Sequence, residues 1–394
     1  MGSCQSQQND NLELKKTSKN NLLITSQKEI ITGANRIKKY LPLIQNKKIG
    51  IVANQTSVIF NQNKERNFTH LVDSLLSLNI NIQRVFTPEH GFRGKADAGE
   101  HISNRKDPKT GIDLISIYGK NKKPTSEQLK GLDIIIFDIQ DVGARFYTYI
   151  SSLHYIMEAC AENNITLLIL DRPNPNGHYI DGPVLEQEHK SFVGMHPIPV
   201  VHGMTIAEYA KMINGEKWLK NEIHCDLSII KCKNYNKQTK YSLPIKPSPN
   251  LPNDIAINLY PSLCFFEGTN ISVGRGTEMQ FQVYGAPYLP KTDFNFTPKP
   301  NEGAKNPKHK NKVCYGKDLS NTNQLNKLNI KWLITSYNLS PNKESFFNNF
   351  FTKLAGTKKL QEQITKGIND EEIRKSWLKG LHKYDEMRKP YLVY

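Results

Sequence analysis

From about residue 28 to Val200, short apolar runs alternate with amphipathic ones. "KKIGIVAN" (Lys47–Asn54), "INIQRVF", "LDIIIFDIQD" (Leu132–Asp141) and "ITLLILDRPNP" (Ile165–Pro175) are rich in β-formers and apolar at successive positions. A strand that is apolar throughout must be covered on both faces, and helices between such strands supply the cover. Two helical stripes fit. One is "NFTHLVDSLLSL" (Asn67–Leu78), with Phe68, Leu71, Val72, Leu75, Leu76 and Leu78 aligned. The other is "VGARFYTYISSLHYIMEACAEN", with Phe146, Tyr149, Ile150, Leu153, Ile156, Met157 and Cys160 on one face. Thr125 with Gln128, and Thr205 with Glu208, have the spacing of capping boxes. The pattern predicts an α/β fold: a Rossmann-like parallel sheet with helices on both faces.

The rhythm changes after "HGMTIAEYAKMING" (His202–Gly215). Strand-like "CDLSIIKCK" and the rigid "KPSPNLPN" (Lys246–Asn253) come next, followed by a polar loop over about 290–312. Two more strands and an amphipathic helix over about 358–384 close the chain. The predicted division is a tether over 1–27, a Rossmann-like domain over 28–202 and a smaller C-terminal α+β domain over 203–394.

Composition narrows the choices. Hydrophobic residues make up 38% of 394 positions, enough for a packed interior. Lys+Arg 53 against Asp+Glu 37 gives +16, which favours anionic partners. No basic run is interleaved with aromatics, so nucleic acid is not expected. The densest basic run, "NPKHKNK" (Asn306–Lys312), lies in the polar loop. There is no apolar run of membrane-spanning length. Small residues before Cys4 and a polar stretch behind it resemble a bacterial lipoprotein processing site. That predicts possible membrane attachment through a lipidated Cys4 and a periplasmic or cell-envelope location. Six cysteines form no CxxC and the histidines form no HExxH, so no metal is expected. "VANQTS" stands where GxGxxG would follow the first strand, and GxxxxGK[ST] is absent. No cofactor is expected.

Polar residues gather where the predicted strands end: Asn54, Glu89, Asp138, Asp141, Asp171 and Arg172. Open α/β sheets bind ligands along that edge. Glu89 in "VFTPEHGFRG" is placed to act as a general acid, or to cap a helix or pair with Arg93. His90 and Arg93 are its neighbours. Asp141 is better suited to cap the following helix, which leaves Asp138 as the site candidate. Arg145 would suit an anionic ligand or a salt bridge to Asp138 or Asp141. Downstream, "FFEGTNISVGRGTEMQF" sets Glu267, Asn270 and Arg275 among glycines, and Gly274 and Gly276 would let backbone approach a ligand.

"FTPEHGFRG", "DAGE", "FDIQDVGARFYTYI", "LDRPNP", "GPVLE", "SFVG", "HGMT", "PSPNLP", "LYPSLCFFEGTNISVGRGT" and "GAP", in this order, resemble the NamZ family of exo-β-N-acetylmuramidases, glycoside hydrolase family 171. The resemblance spans about residues 30–394. It implies a Rossmann-like N-terminal domain, a smaller C-terminal one and an active site in the cleft between them. It also implies release of single N-acetylmuramic acid units from non-reducing ends of peptidoglycan chains, with Glu89 as the catalytic glutamate. The lactyl carboxylate of that sugar calls for a cation; Arg145, Arg275, Arg93 and Arg172 are the candidates. Glycoside hydrolysis usually uses a second carboxyl, and Glu267, Asp138 and Asp171 are available. No adjacent Asp-Glu pair favours participation by the substrate's own N-acetyl group. A cell-wall amidase or esterase has no GxSxG or zinc spacing behind it. A non-catalytic glycan-binding lipoprotein would leave the carboxylate-rich strand ends without purpose.

Overall fold

The structure, a computed structural model, describes residues 28–60, 68–89, 91–92 and 105–394. Cys4, His90 and Arg93 lie outside the described residues. The chain begins with α1 (Ile37–Ile44), β1 (Ile49–Ala53), a hairpin of β2 (Val58–Phe60) and β3 (Phe68–His70), and α2 (Leu71–Ser77). It continues with β4 (Ile82–Thr87), β5 (Arg105–Lys106), β6 (Asp113–Ser116), α3 (Ser126–Leu129) and β7 (Ile134–Asp138). Then come α4 (Tyr149–Glu162), β8 (Thr166–Leu170), α5 (Ile206–Gly215) and β9 (Leu227–Ile230).

One seven-stranded sheet has the order β5-β6-β4-β1-β7-β8-β9. All its pairings are parallel except β5 with β6. The strands alternate as two-sided burial requires. Val52, Phe86, Ile135, Phe137, Leu167 and Ile169 face α4 and α5, while Ile51, Val85, Ile134, Ile136 and Leu168 face α1 and α2. From β1 the chain builds outward through β4 and β6, then crosses back to β7 and builds the other way. The reversal falls between β1 and β7, and at such a point the strand ends leave a crevice.

The second part holds α6 (Asp254–Leu263), an antiparallel sheet of β10 (Val283–Ala286), β11 (Asn295–Phe296) and β12 (Cys314–Asp318), and four further helices. These are α7 (Lys331–Leu339), α8 (Phe350–Ala355), α9 (Lys359–Thr365) and α10 (Asp370–Arg388). Phe265, Phe281, Trp332, Phe351 and Tyr384 share one apolar core with α4 and α5.

The structure departs from the sequence reading in four places. The sheet does not end before residue 203, because "CDLSIIKCK" supplies β9, which pairs with β8. The stripe from Asn67 is not one helix. Phe68–His70 pair with β2, and His70 Nδ1 then accepts the Val72 amide to start α2. The helix after β7 begins at Tyr149, not near Asp141. Asp141 instead accepts the Gly143 amide at 2.7 Å in a turn where Gly143 has φ +79. A Cβ on Gly143 would lie 2.3 Å from Asn174 Oδ1, so the turn needs glycine. The C-terminal helix is broken at Gly367, where φ is +74, and restarts with Asn369 as its cap. Both expected capping boxes are present.

Candidate active site

Glu89 sits two residues beyond β4, half-buried at the C-terminal edge of the sheet. Tyr118, two residues beyond β6, donates its hydroxyl to Glu89 Oε1 at 2.8 Å. Thr148, the residue before α4, donates to Oε2 at 3.0 Å. Loops from three strands therefore meet on one carboxyl. Beneath it lies an aromatic floor: Tyr147 packs edge-on against Tyr149 at 4.9 Å and Tyr260 at 5.8 Å. Tyr147 donates to Pro247 O at 2.7 Å, and Tyr149 accepts from Asn54 Nδ2 at 2.9 Å. Burial, reinforced by the charge of Glu89, holds the Tyr149 hydroxyl well above its usual range, so it stays neutral beside the carboxyl.

A second carboxyl enters from the other part of the chain. Glu267 lies in the turn after α6, where its Oε1 accepts Arg275 Nε at 3.2 Å. Both side chains keep about a quarter of their surface open, 26% and 23%. Burial alone would lower the Arg275 guanidinium, but Glu267, Tyr260 and Cys264 outweigh it and keep the group charged. Tyr260 links the two sides: its ring touches Tyr147, and its hydroxyl lies in the fields of both Arg275 and Glu89.

Within "NPKHKNK", Lys310 and Lys312 are exposed, but Lys308 and His309 turn inward. Lys308 Nζ donates to the carbonyls of Phe266, Thr269 and Ile271 at 3.0, 2.5 and 3.0 Å. His309 Nε2 meets Asn270 O at 2.6 Å. The run therefore braces the loop that carries Glu267 and Asn270, whose Oδ1 accepts the Tyr288 hydroxyl. Gly274 and Gly276 do not make room for a ligand. They have φ +76 and +79, and a Cβ would meet Met279 O at 2.7 Å or Lys299 O at 2.5 Å.

Four predicted site residues are committed elsewhere. Asp138, fully buried, receives Arg172 Nε at 2.6 Å and Nη2 at 2.9 Å, a bidentate pair that leaves neither group for substrate. Asp171 accepts the Thr205 hydroxyl at 2.8 Å, the Ala207 amide at 3.1 Å and the Tyr394 hydroxyl at 2.8 Å. It caps α5, and burial pushes its carboxyl up to about 6. Arg145 is fully buried. Its Nη1 donates to Pro183 O and Ile198 O, and its Nη2 to Leu354 O and Ala355 O, all between 2.7 and 2.9 Å. The last two are carbonyls at the end of α8, which lack partners within the helix. Arg145 is thus a joint between the two parts of the chain; its Nε alone lacks a partner, and burial keeps it from a lactyl carboxylate.

Residues 49–255 match the family described as exo-beta-N-acetylmuramidase NamZ, N-terminal, and residues 258–394 match its C-terminal counterpart. The chain belongs to the NamZ family. The family boundary falls at the start of α6, after β9, in agreement with the sheet and not with a division at 202. Among NamZ relatives, the peptidoglycan beta-N-acetylmuramidase NamZ of Bacillus subtilis (strain 168) is 38% identical over 383 residues, 90% of this chain and 89% of that protein. Two crystal structures of DUF1343 family proteins from Bacteroides fragilis NCTC 9343 share the fold. One is 47% identical with a TM-score of 0.85, the other 27% identical with 0.79; each alignment covers 93% of this chain and 99% of the other.

Tyr118, Thr148, Tyr147, Tyr260 and Lys308 were not singled out by sequence. Tyr118 had a signal, since it follows the short strand-like "DLIS". Lys308 had none, because its partners are backbone carbonyls about 40 residues away.

Proposed function

We propose that this NamZ-family glycosidase releases N-acetylmuramic acid from the non-reducing ends of peptidoglycan glycan fragments, with Glu89 as the proton donor. One observation carries the assignment. Glu89 is a half-buried carboxyl at the sheet's C-terminal edge that accepts hydroxyls from Tyr118 and Thr148, while Asp138 and Asp171 are fully buried on internal partners and Asp141 is buried in the Gly143 turn. Glu89 protonates the glycosidic oxygen as the bond breaks and positive charge grows on the sugar ring. Glu267 is the second carboxyl, because it alone among the remaining candidates is both partly open and near the Tyr260 floor. Arg275 orients it.

Incubating wild-type protein and Glu89→Gln with a muramic-acid-capped oligosaccharide tests this. The variant should fold normally and lose roughly 100- to 10,000-fold in release of N-acetylmuramic acid, the usual worth of a general acid. A fully active variant would sink the role of Glu89. Release of free peptide without free sugar would replace the glycosidase with an amidase.

A further inference from the structure

Arg145, Arg172 and Arg275 have internal partners, and Arg93 lies outside the described residues. A different cation stands on the Glu89 side. Lys122 Nζ lies 4.6 Å from the centroid of the Phe192 ring. Among the described residues it has no ion pair or hydrogen bond, whereas its neighbour Lys123 is held by Glu158 at 2.8 Å and Glu162 at 2.7 Å.

The Phe192 ring is firmly placed. It lies 6.1 Å from the Tyr118 ring and is stacked with Tyr155 at 6.3 Å. Its carbonyl accepts the Ser151 hydroxyl at 2.7 Å, from the same end of α4 that Thr148 precedes. Ser191 and Gly194 exchange backbone hydrogen bonds at 2.8 and 3.1 Å, closing the turn that presents it. A continuous path therefore runs from the acid to the ammonium: Glu89, the Tyr118 hydroxyl and ring, Phe192, Lys122. Tyr118, Phe192 and Lys122 are all half-buried. Aromatic faces suit the apolar side of a sugar ring, and a cation already resting on one has fewer conformations to lose on binding.

We propose that Lys122, carried on the Phe192–Tyr118 shelf, recognises a carboxylate on the terminal muramic sugar and so selects it over glucosamine. This rests on the functional reading above. Two carboxylates share the chemistry: the lactyl group of the free sugar and those of an attached stem peptide, in which the lactyl group is amidated.

The test uses Lys122→Met, which retains an apolar side chain over Phe192, and Lys122→Arg, which retains the charge. Binding is measured in the Glu89→Gln background for N-acetylmuramic acid, its peptide-bearing form and N-acetylglucosamine. KM is measured in the active enzyme. Lys122→Met should weaken muramic binding about tenfold or more, the worth of one charge-assisted contact, and leave glucosamine binding unchanged. Lys122→Arg should restore most of the preference, and thermal midpoints should not move. Loss confined to the free sugar identifies the lactyl group; loss confined to the peptide form identifies the stem. An unchanged ratio of muramic to glucosamine binding, or equal loss on both, overturns the inference. Lys122-dependent binding without turnover by the wild type would keep it and refute the glycosidase instead.

Discussion

The two halves of the sheet's C-terminal edge end in the same residue types and serve opposite ends. Past β7 and β8, the two carboxyls that end the strands are matched by other parts of the protein: Asp138 by Arg172, and Asp171 by Thr205, Ala207 and Tyr394. Past β4 and β6, Glu89 accepts hydroxyls from Tyr118 and Thr148 and remains half-buried. A carboxylate facing a guanidinium is fixed as an ion. A hydroxyl, unlike a guanidinium, can hydrogen-bond a carboxyl in either protonation state. An edge rich in carboxyls thus contains one half built for cohesion and one half left for chemistry.

The contrast breaks first at Arg172. Arg172→Met strands Asp138 in the interior and should cost roughly 3–5 kcal/mol, seen as a lower denaturation midpoint, with activity per folded molecule retained. A normal midpoint with lost muramic preference would move Arg172 into the site. Arg145→Met comes next. It leaves four carbonyls without donors and should cost about 3 kcal/mol, with KM for the surviving enzyme unchanged. Asp171 sharpens the comparison through pH. Its folded carboxyl titrates at about 6, against roughly 4 in an unfolded chain, so the folded state holds the proton more tightly. Its contribution is fully present below about pH 4 and is lost as pH rises through about 6. Wild type should therefore lose up to about 2–3 kcal/mol across that window relative to Asp171→Asn, measured as the difference between their denaturant midpoints. A flat difference would show that its partners fully offset burial. Tyr118→Phe is the smallest change: kcat should fall about fivefold, the worth of one hydrogen bond, at an unaltered midpoint.

Much of the frame is legible in the chain. "LDIIIFDIQD" and "ITLLILDRPNP" can only be buried strands, and both capping boxes form as spaced. Glu89 is legible too, through its place after a strand. The sorting of the other candidates is not. Arg145 and Arg275 each follow a left-handed glycine within two residues, Gly143 and Gly274. Their fates differ because Leu354 and Ala355 present bare carbonyls to one, while Glu267 faces the other. Such partners are set by three-dimensional closure and leave no local trace. Lys308 makes the same point: a lysine in a polar, basic run can be an interior strut.

Arg145 also bears on how the protein can be made. Its guanidinium is anchored on residues 183, 198, 354 and 355, so the loop leading into α4 gains its last two anchors only when synthesis has passed α8. The two family segments are separable as sequence, yet a ribosome that has finished only the first carries a half-satisfied interior cation and a bare apolar face. The enzyme should then mature late and all at once, and a fragment ending near residue 255 should need a chaperone or its missing half supplied in trans to remain in solution.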